Sequence, residues 1–514
     1  MSKNSASGEL FDAIKAKISR FDAVVFSSAL VMALLTHLYM FTNKLINHDD
    51  IDGLFSNLSF GLSPGRWLLY PISKLSAGFS SPWLNGLLGV LFLALAILFT
   101  VKALGIKNYL PALTASLTLA AWPVVASTYS YMFCSYQYLV SLALASIGAW
   151  LILRGDIKSL VAGGISIALG MGCYQTYFGY AVALCVLGHI LGMCELRWGE
   201  DAKKALFAAL KSVAALAGAM VSYFIVLRVS LFVTGTALTD YQGISGMGNV
   251  GAAELVQRML GAYRSFFDFY KNPYGIFHNV LIILAALSIA SLAIYAVWCV
   301  ISRKIYKKAG LLALIIAAVL VLPLSVALIY VMTGGEVHFV MMYSFVLPLI
   351  LPAVIADRID CSAKRAVSLV LCAALLCVSL ASGYEGVLIT NRAYLLLDLQ
   401  EKNTSEYFTV LRTKIELCEG YTQSTPVALF GRFSQPNYLP DPHMTGFLFG
   451  DYALNMYSYW AYLQYFHGFS MQYADAQARD AILSSEEYAE MPVYPAEGSI
   501  RNIGGVIAVK LGEE

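Results

Sequence analysis

The sequence predicts a polytopic α-helical membrane protein of about 11 transmembrane helices, followed by a C-terminal extracytoplasmic α/β domain. Three observations predict it. Of 514 residues, 59% are apolar and only 13% are charged, where soluble domains run at roughly 45–50% and about 25%. Mean hydropathy is +0.67. The apolar residues gather in long runs, with Lys and Arg concentrated in alternate connections between them. A soluble globule, an intrinsically disordered chain and a disulfide-stapled secreted scaffold are all excluded. A net charge of +2 leaves no domain-wide basic excess to neutralise phosphates, so no nucleic acid is expected as a partner. The nine cysteines are scattered, mostly in apolar stretches and without a CxxC pair, and read as small core hydrophobes.

A spanning helix needs ~20 mostly apolar residues. Eleven runs qualify: 22–43, 83–102, 109–127, 137–153, 159–176, 178–194, 205–233, 276–301, 309–332, 339–356 and 366–389. With the N-terminus inside, the cytoplasmic turns hold Lys102, Lys107, Arg154, Lys158, Arg197, Lys203 and Lys204. Arg303, Lys304, Lys307, Lys308, Arg358, Lys364 and Arg365 continue the series, against Lys44, Arg66, Lys74, Arg258, Arg264 and Lys271 outside. The positive-inside rule then sets the N-terminus in and the C-terminal domain out.

Three parts follow. Residues 1–21 place Leu10, Phe11, Ile14, Ile18 and Phe21 on one helical face, flanked by Lys15, Lys17 and Arg20. That is an amphipathic helix on the anionic inner leaflet, or a plain positive-inside anchor. No small-residue cleavage site follows, so no signal peptide is expected. Residues 22–390 form the transmembrane domain, with outer loops at 44–82 and 234–275. Residues 391–514 read as the α/β domain, with a helix over 401–420, a strand at Pro426–Phe430, and two strands or one bulged strand over Ile503–Leu511. Between them, nine aromatic residues crowd 452–473, from Tyr452 to Tyr473, suited to packing on the membrane domain or to stacking on a sugar.

The chemistry concentrates where the first helix leaves the membrane. Asn47-His48-Asp49-Asp50-Ile51-Asp52 sets three carboxylates in four residues at the outer interface. They are either a solvated cap or a site, because one carboxylate of an adjacent pair can raise the other's pKa toward that of a general base. Downstream, Ser63-Pro64-Gly65-Arg66-Trp67-Leu68-Leu69-Tyr70-Pro71 puts an Arg in a Gly/Pro-framed turn. A guanidinium binds two phosphate oxygens at once where Lys offers a point charge. Further cations at helix mouths are Arg264, Lys271, His338 and Arg392, and Glu336 could orient His338. Arg228, late in the seventh run, is either a site residue or a snorkelling cation. Tyr136-Gln137 and Tyr174-Gln175 are helix-borne candidates for substrate contact, or simple helix–helix hydrogen-bonding residues. No His, Cys or carboxylate spacing points to a structural zinc, and neither a P-loop nor a GxGxxG after a strand is present.

The acidic pair after the first helix and the GRWLLYPIS element before the second resemble the glucosyl transferase II family, bacterial O-antigen-type enzymes of the GT-C superfamily. The two Tyr-Gln pairs and the tail Met491-Pro492-Val493-Tyr494-Pro495, with Gly498-Ser499-Ile500 after it, are similar to its longer members. Some members carry charge where this chain has Ile51 and Gly53, which sets Asp52 apart from the other two acids. The resemblance implies a GT-C-like fold and transfer of a hexose, glucose above all, from a polyprenyl-phosphate sugar such as undecaprenyl-phosphate glucose. The acceptor would be a surface glycan and the outcome inversion. Asp49 or Asp50 would be the base, and Arg66 the first of the phosphate ligands. No cofactor is required on this reading, and a divalent cation (Mg or Mn) at Asp49/Asp50 stays open. A transporter or lipid-linked glycan flippase is a competing class, but it should carry ionisable groups near the bilayer midplane. A non-catalytic envelope scaffold is another, and would leave the Asp pair and Arg66 without a task.

Overall fold

The computed structural model describes residues 18–45, 47–55, 61–239, 250–272, 275–334, 337–360, 365–433, 442–450 and 454–513. The amphipathic pattern of residues 1–21 lies almost wholly outside them, and Glu336 lies outside them too. The chain divides into two compact units. One comprises residues 1–43 and 57–391, the other 44–56 and 392–514. The acidic segment, read from sequence as part of an outer loop of the membrane domain, therefore folds with the C-terminal part of the chain.

The first unit is helical. Eight helices among the described residues are long and apolar enough to cross a membrane by length and composition. They include Arg20–Thr42, Pro82–Ala103, Ser135–Arg154, Tyr177–Cys194, Ala202–Thr234, Asn279–Ser302 and Ala309–Val326. The first starts at Ser19, whose side chain accepts from the Asp22 amide at 3.0 Å. It buries Val25, Ala29, Ala33, His37 and Met40 along one stripe. Close helix approach comes from glycine: a methyl at Gly386 would sit 2.8 Å from the Ala121 carbonyl oxygen. Phe207, Ile225, Phe232, Ile283 and Ile294 stay exposed, as lipid-facing side chains do.

Four expected runs take forms that periodicity does not reveal. The 109–127 run is a pair, Tyr109–Ala121 and Pro123–Ser130, bent by 40°, because Pro123 cannot donate to the preceding turn. The 159–176 run is a helix of 17 residues, Ile157–Cys173. The 339–356 run is largely 3₁₀ helix over Tyr343–Ile350, then Leu351–Ala356, with Pro348 and Pro352 removing donors from an α ladder. The 309–332 run breaks at Ala327 into Ala309–Val326 and Leu328–Thr333. Conversely, the 366–389 run and the helical pattern over 401–420 belong to one helix, Arg365–Glu416, of 52 residues. It contains no proline to stop it and runs for roughly 78 Å at ~1.5 Å per residue.

The second unit holds a four-stranded sheet: β1 (Pro426–Phe430), β2 (Gln472–Tyr473), β3 (Ile500–Ile503) and β4 (Val506–Lys510), in the order β2-β1-β4-β3. β1 is parallel to both neighbours, while β3 and β4 form an antiparallel hairpin. The hairpin turn is Gly504-Gly505, with φ of 60° and 88°, the left-handed backbone that a two-residue turn demands. Alternation along the strands divides the core in two. Val427, Leu429, Ile507 and Val509 pack with Phe408, Leu411, Ile415 and Tyr462, and Ile51 joins that side. Ala428, Phe430, Val506 and Ala508 pack with Ile482, Tyr488 and Met491 on the other.

Gly386→Ala should lower stability by about 1–3 kcal/mol, because the added methyl meets a backbone oxygen that cannot move aside. Gly218→Ala on Ala202–Thr234, where nothing lies within 4 Å, should be neutral or stabilising. Thermal unfolding in detergent compares the two.

Candidate functional site

In the second unit, Asn47 starts the short helix His48–Asp52. Its side-chain oxygen accepts from the Asp49 amide at 3.0 Å, and its Nδ2 donates to the Phe449 carbonyl at 2.7 Å in a buried setting. The cap fixes where the two following carboxylates point. Asp50 is fully buried and forms an ion pair with Lys44. Asp49 turns outward, its side chain 41% exposed, and its Oδ1 accepts from the Tyr457 hydroxyl. His48 Nε2 lies 3.8 Å from the same oxygen, and the His48 and Tyr457 rings meet edge to face at 6.1 Å. Burial, and then the Asp49 carboxylate, push the Tyr457 phenol well above its ordinary pKa, so it remains a donor. Asp52 is exposed at the end of the helix.

The adjacent acids are therefore not equivalent. Asp50 has a counter-cation and no solvent. Asp49 has solvent, and Oδ2 has no hydrogen-bond partner among the described residues. Among the described residues no three His, Cys, Asp or Glu side chains converge as metal ligands, and Lys44 already supplies the positive charge at Asp50.

The first unit builds a separate cluster around the Ser63–Pro71 element. Arg66 Nη1 donates to the Tyr138 hydroxyl at 2.8 Å. Its guanidinium lies 5.5 Å and 5.1 Å from the centres of the Tyr138 and Tyr174 rings, which stack at 4.0 Å with planes 6° apart. The turn itself is held from below. Gln175 Nε2 donates to the Pro64 carbonyl at 2.8 Å and to Tyr223 Oη at 3.0 Å, and the Tyr223 hydroxyl donates to the Gly65 carbonyl at 3.0 Å. The Leu68 amide donates to the Gly172 carbonyl at 2.8 Å, and Gly172 leaves room for Trp67, which a methyl there would meet at 2.6 Å. Further along, the Tyr136 hydroxyl donates to the Ile72 carbonyl at 2.9 Å.

Tyr136, Tyr174 and Gln175 thus meet the Arg66 element, whereas Gln137 is buried on its own helix, donating weakly to the Phe133 carbonyl with Oε1 unpartnered. Arg264 and Lys271 are exposed and share Asp268, at 3.5 Å and 2.9 Å, on the helix Ala252–Tyr270. His338 precedes the 3₁₀ turn Phe339–Met341, and Arg392 lies exposed on Arg365–Glu416. Arg228 is exposed on Ala202–Thr234. Sequence reasoning placed Tyr457 in an aromatic cluster but missed it as the partner of Asp49, and missed Lys44 as the Asp50 counter-ion, Tyr138 and Tyr223. It also missed the pair His278 Nδ1 to Glu385 at 2.8 Å. The Tyr457 contact has no local signal, since Tyr457 is 408 residues from Asp49.

These features define the class: a mostly helical protein with several apolar spans, suited to a polytopic membrane glycosyltransferase. The chain belongs to the glucosyl transferase GtrII family, matched over residues 38–349, and that membership implies a glucosyltransferase. The match takes in the acidic segment, the Arg66 element and both Tyr-Gln pairs, and stops short of the tail that begins at Met491. No curated protein and no solved structure matches the chain.

Gln175→Leu should cost about 1–3 kcal/mol, since the Pro64 carbonyl then loses its donor. Gln137→Leu, which strands no turn, should cost less than Gln175→Leu. Melting temperatures of the two variants in detergent decide whether the Tyr-Gln pairs differ as described.

Proposed function

We propose that the protein transfers glucose from a polyprenyl-phosphate sugar, undecaprenyl-phosphate glucose by family resemblance, to a hydroxyl of a surface glycan. The reaction proceeds with inversion on the outer side of the bacterial cytoplasmic membrane. The N-terminus lies inside, eleven segments cross, and the C-terminal α/β domain is outside. The observation that carries this reading is the division of the acidic pair, with Asp50 neutralised by Lys44 and Asp49 presented to solvent on a Tyr457 donor.

In the step itself the acceptor oxygen attacks the anomeric carbon and forms the new glycosidic bond. The bond from that carbon to the phosphate oxygen breaks, and the lipid phosphate leaves with the electron pair. The acceptor proton passes to Asp49. A carboxylate with one free oxygen and a fixed orientation suits a general base. Arg66 is assigned to the developing phosphate charge, because its fork can make two parallel bonds and the Tyr138–Tyr174 stack restricts its motion. Arg264, Lys271, His338 and Arg392 are kept as secondary phosphate candidates. No cofactor is required on this reading, and chelator titration of the transfer reaction tests for a divalent cation (Mg or Mn) at Asp49/Asp50.

The test is consumption of polyprenyl-phosphate glucose by protein purified in detergent, with a surface glycan as acceptor. Asp49→Asn should fold as the parent and lose transfer by at least ~100-fold. Arg66→Ala should lose roughly 2–4 kcal/mol of transition-state stabilisation, with partial recovery in Arg66→Lys. Parental turnover in Asp49→Asn would remove the base from this residue, and parental turnover in Arg66→Ala would move the phosphate site elsewhere.

A further inference from the structure

We propose that the exposed aromatic surface along the Asp49 helix, formed by Tyr457 and the Phe55–Tyr465 pair, is the platform on which a pyranose ring of the acceptor glycan stacks. The proposal rests on the reading of Asp49 as the base and names what lies against it.

Within the second unit, the helix His48–Asp52 packs on the 3₁₀ turn Met456–Ser458 and on the helix Tyr459–His467. Ring pairs flank the acids along this seam. His48 meets Tyr457 at 6.1 Å, and Phe55, three residues beyond the helix, meets Tyr465 edge to face at 5.3 Å. The helix Tyr459–His467 gives Tyr459, Tyr462 and Leu463 to the core. Phe466 packs against the same core, whereas Trp460 is 41% exposed and Tyr465 48%, with Tyr457 at 53% and Phe55 at 71%. Tyr457 and the Phe55–Tyr465 pair thus present exposed rings along the seam that carries Asp49, an arrangement that folding alone does not require.

A pyranose has an apolar C–H face and a rim of hydroxyls. Aromatic rings cover the first, and a carboxylate with an open oxygen accepts from the second. Asp49 Oδ1 is already bonded to Tyr457, which leaves Oδ2 for the hydroxyl that reacts. A lipid surface is the competing occupant, since Tyr and Trp also favour the membrane interface. Insertion there would desolvate Asp49 and Asp52 together, and Lys44 is engaged with the buried Asp50 rather than displayed to anionic headgroups. The observations favour the sugar. Asp49 and Phe55 lie inside the family-matched residues while Tyr457 and Tyr465 lie beyond them, so the latter two rings would set acceptor choice rather than the shared chemistry.

The experiment uses the full chain in nanodiscs, polyprenyl-phosphate glucose as donor, and surface polysaccharide stripped from cells lacking the gene as acceptor. Tyr465→Ala and Phe55→Ala should each raise the acceptor KM about tenfold, the scale of one stacking contact, with a much smaller effect on donor KM. Tyr465→Phe keeps the ring and should restore the parental acceptor KM. Asp49→Asn should still bind the polysaccharide, read as a change in tryptophan fluorescence that Trp460→Phe removes. Binding without transfer in Asp49→Asn supports both readings. Binding with parental transfer leaves the platform standing and refutes the base. Parental acceptor KM in both alanine variants overturns the platform, as does quenching of the Trp460-dependent fluorescence by brominated lipids, which would assign the patch to the membrane.

Discussion

The buried contact between Lys44 and Asp50 governs the arrangement of the acidic segment. A carboxylate with no solvent exposure needs a counter-charge, and removing either partner of such a pair typically costs ~3–5 kcal/mol. Lys44, six residues earlier, folds back onto Asp50 and supplies that charge. Ile51 next to it enters the core formed by Phe408, Leu411 and Ile415, and Asn47 ties the helix start to the Phe449 carbonyl. Three consecutive constraints leave one rotational setting for the short helix. In that setting Asp49 faces outward and meets Tyr457. The chemistry assigned to Asp49 depends on its neighbour being unable to do it.

A comparable economy of construction holds the Arg66 turn. Its backbone carbonyls at Pro64, Gly65 and Ile72 each receive a side-chain donor, from Gln175, Tyr223 and Tyr136. With those backbone carbonyls satisfied by side chains from distant segments, the turn is a fixed platform for one guanidinium. Tyr138 and Tyr174 then restrict that guanidinium from the side. Placement before substrate arrives lowers the reorganisation that charge stabilisation would otherwise require.

The apolar runs were legible because lipid imposes both length and hydropathy on a spanning segment. What hydropathy cannot register is backbone hydrogen bonding. Pro123 bends one run, and Pro348 and Pro352 turn another toward 3₁₀ geometry, without altering its apolar character. The helix Arg365–Glu416 was divided in the sequence because its apolar pattern changes where its backbone does not. At the site, Asn47-His48-Asp49-Asp50 was legible as a motif, since adjacent acids after an apolar run are unusual. The distinction between Asp49 and Asp50 was not, because it comes from Lys44 folding back and from Tyr457, brought near by the tertiary fold. Gln137 and Gln175 look alike in sequence, and only the position of the Ser63–Pro71 turn separates them.

The central claim is that Asp50 holds the segment while Asp49 does the chemistry. A double-mutant cycle on Lys44→Met and Asp50→Asn, read by thermal unfolding and by glucose transfer on the same preparations, tests it most directly. The account predicts strong coupling, with each single variant destabilised and the double variant recovering at least ~1.5 kcal/mol of the summed loss. It also predicts that the double variant transfers glucose within about tenfold of the parent, a much smaller loss than removal of a general base. Additive destabilisation, or a folded double variant that transfers nothing, would contradict it.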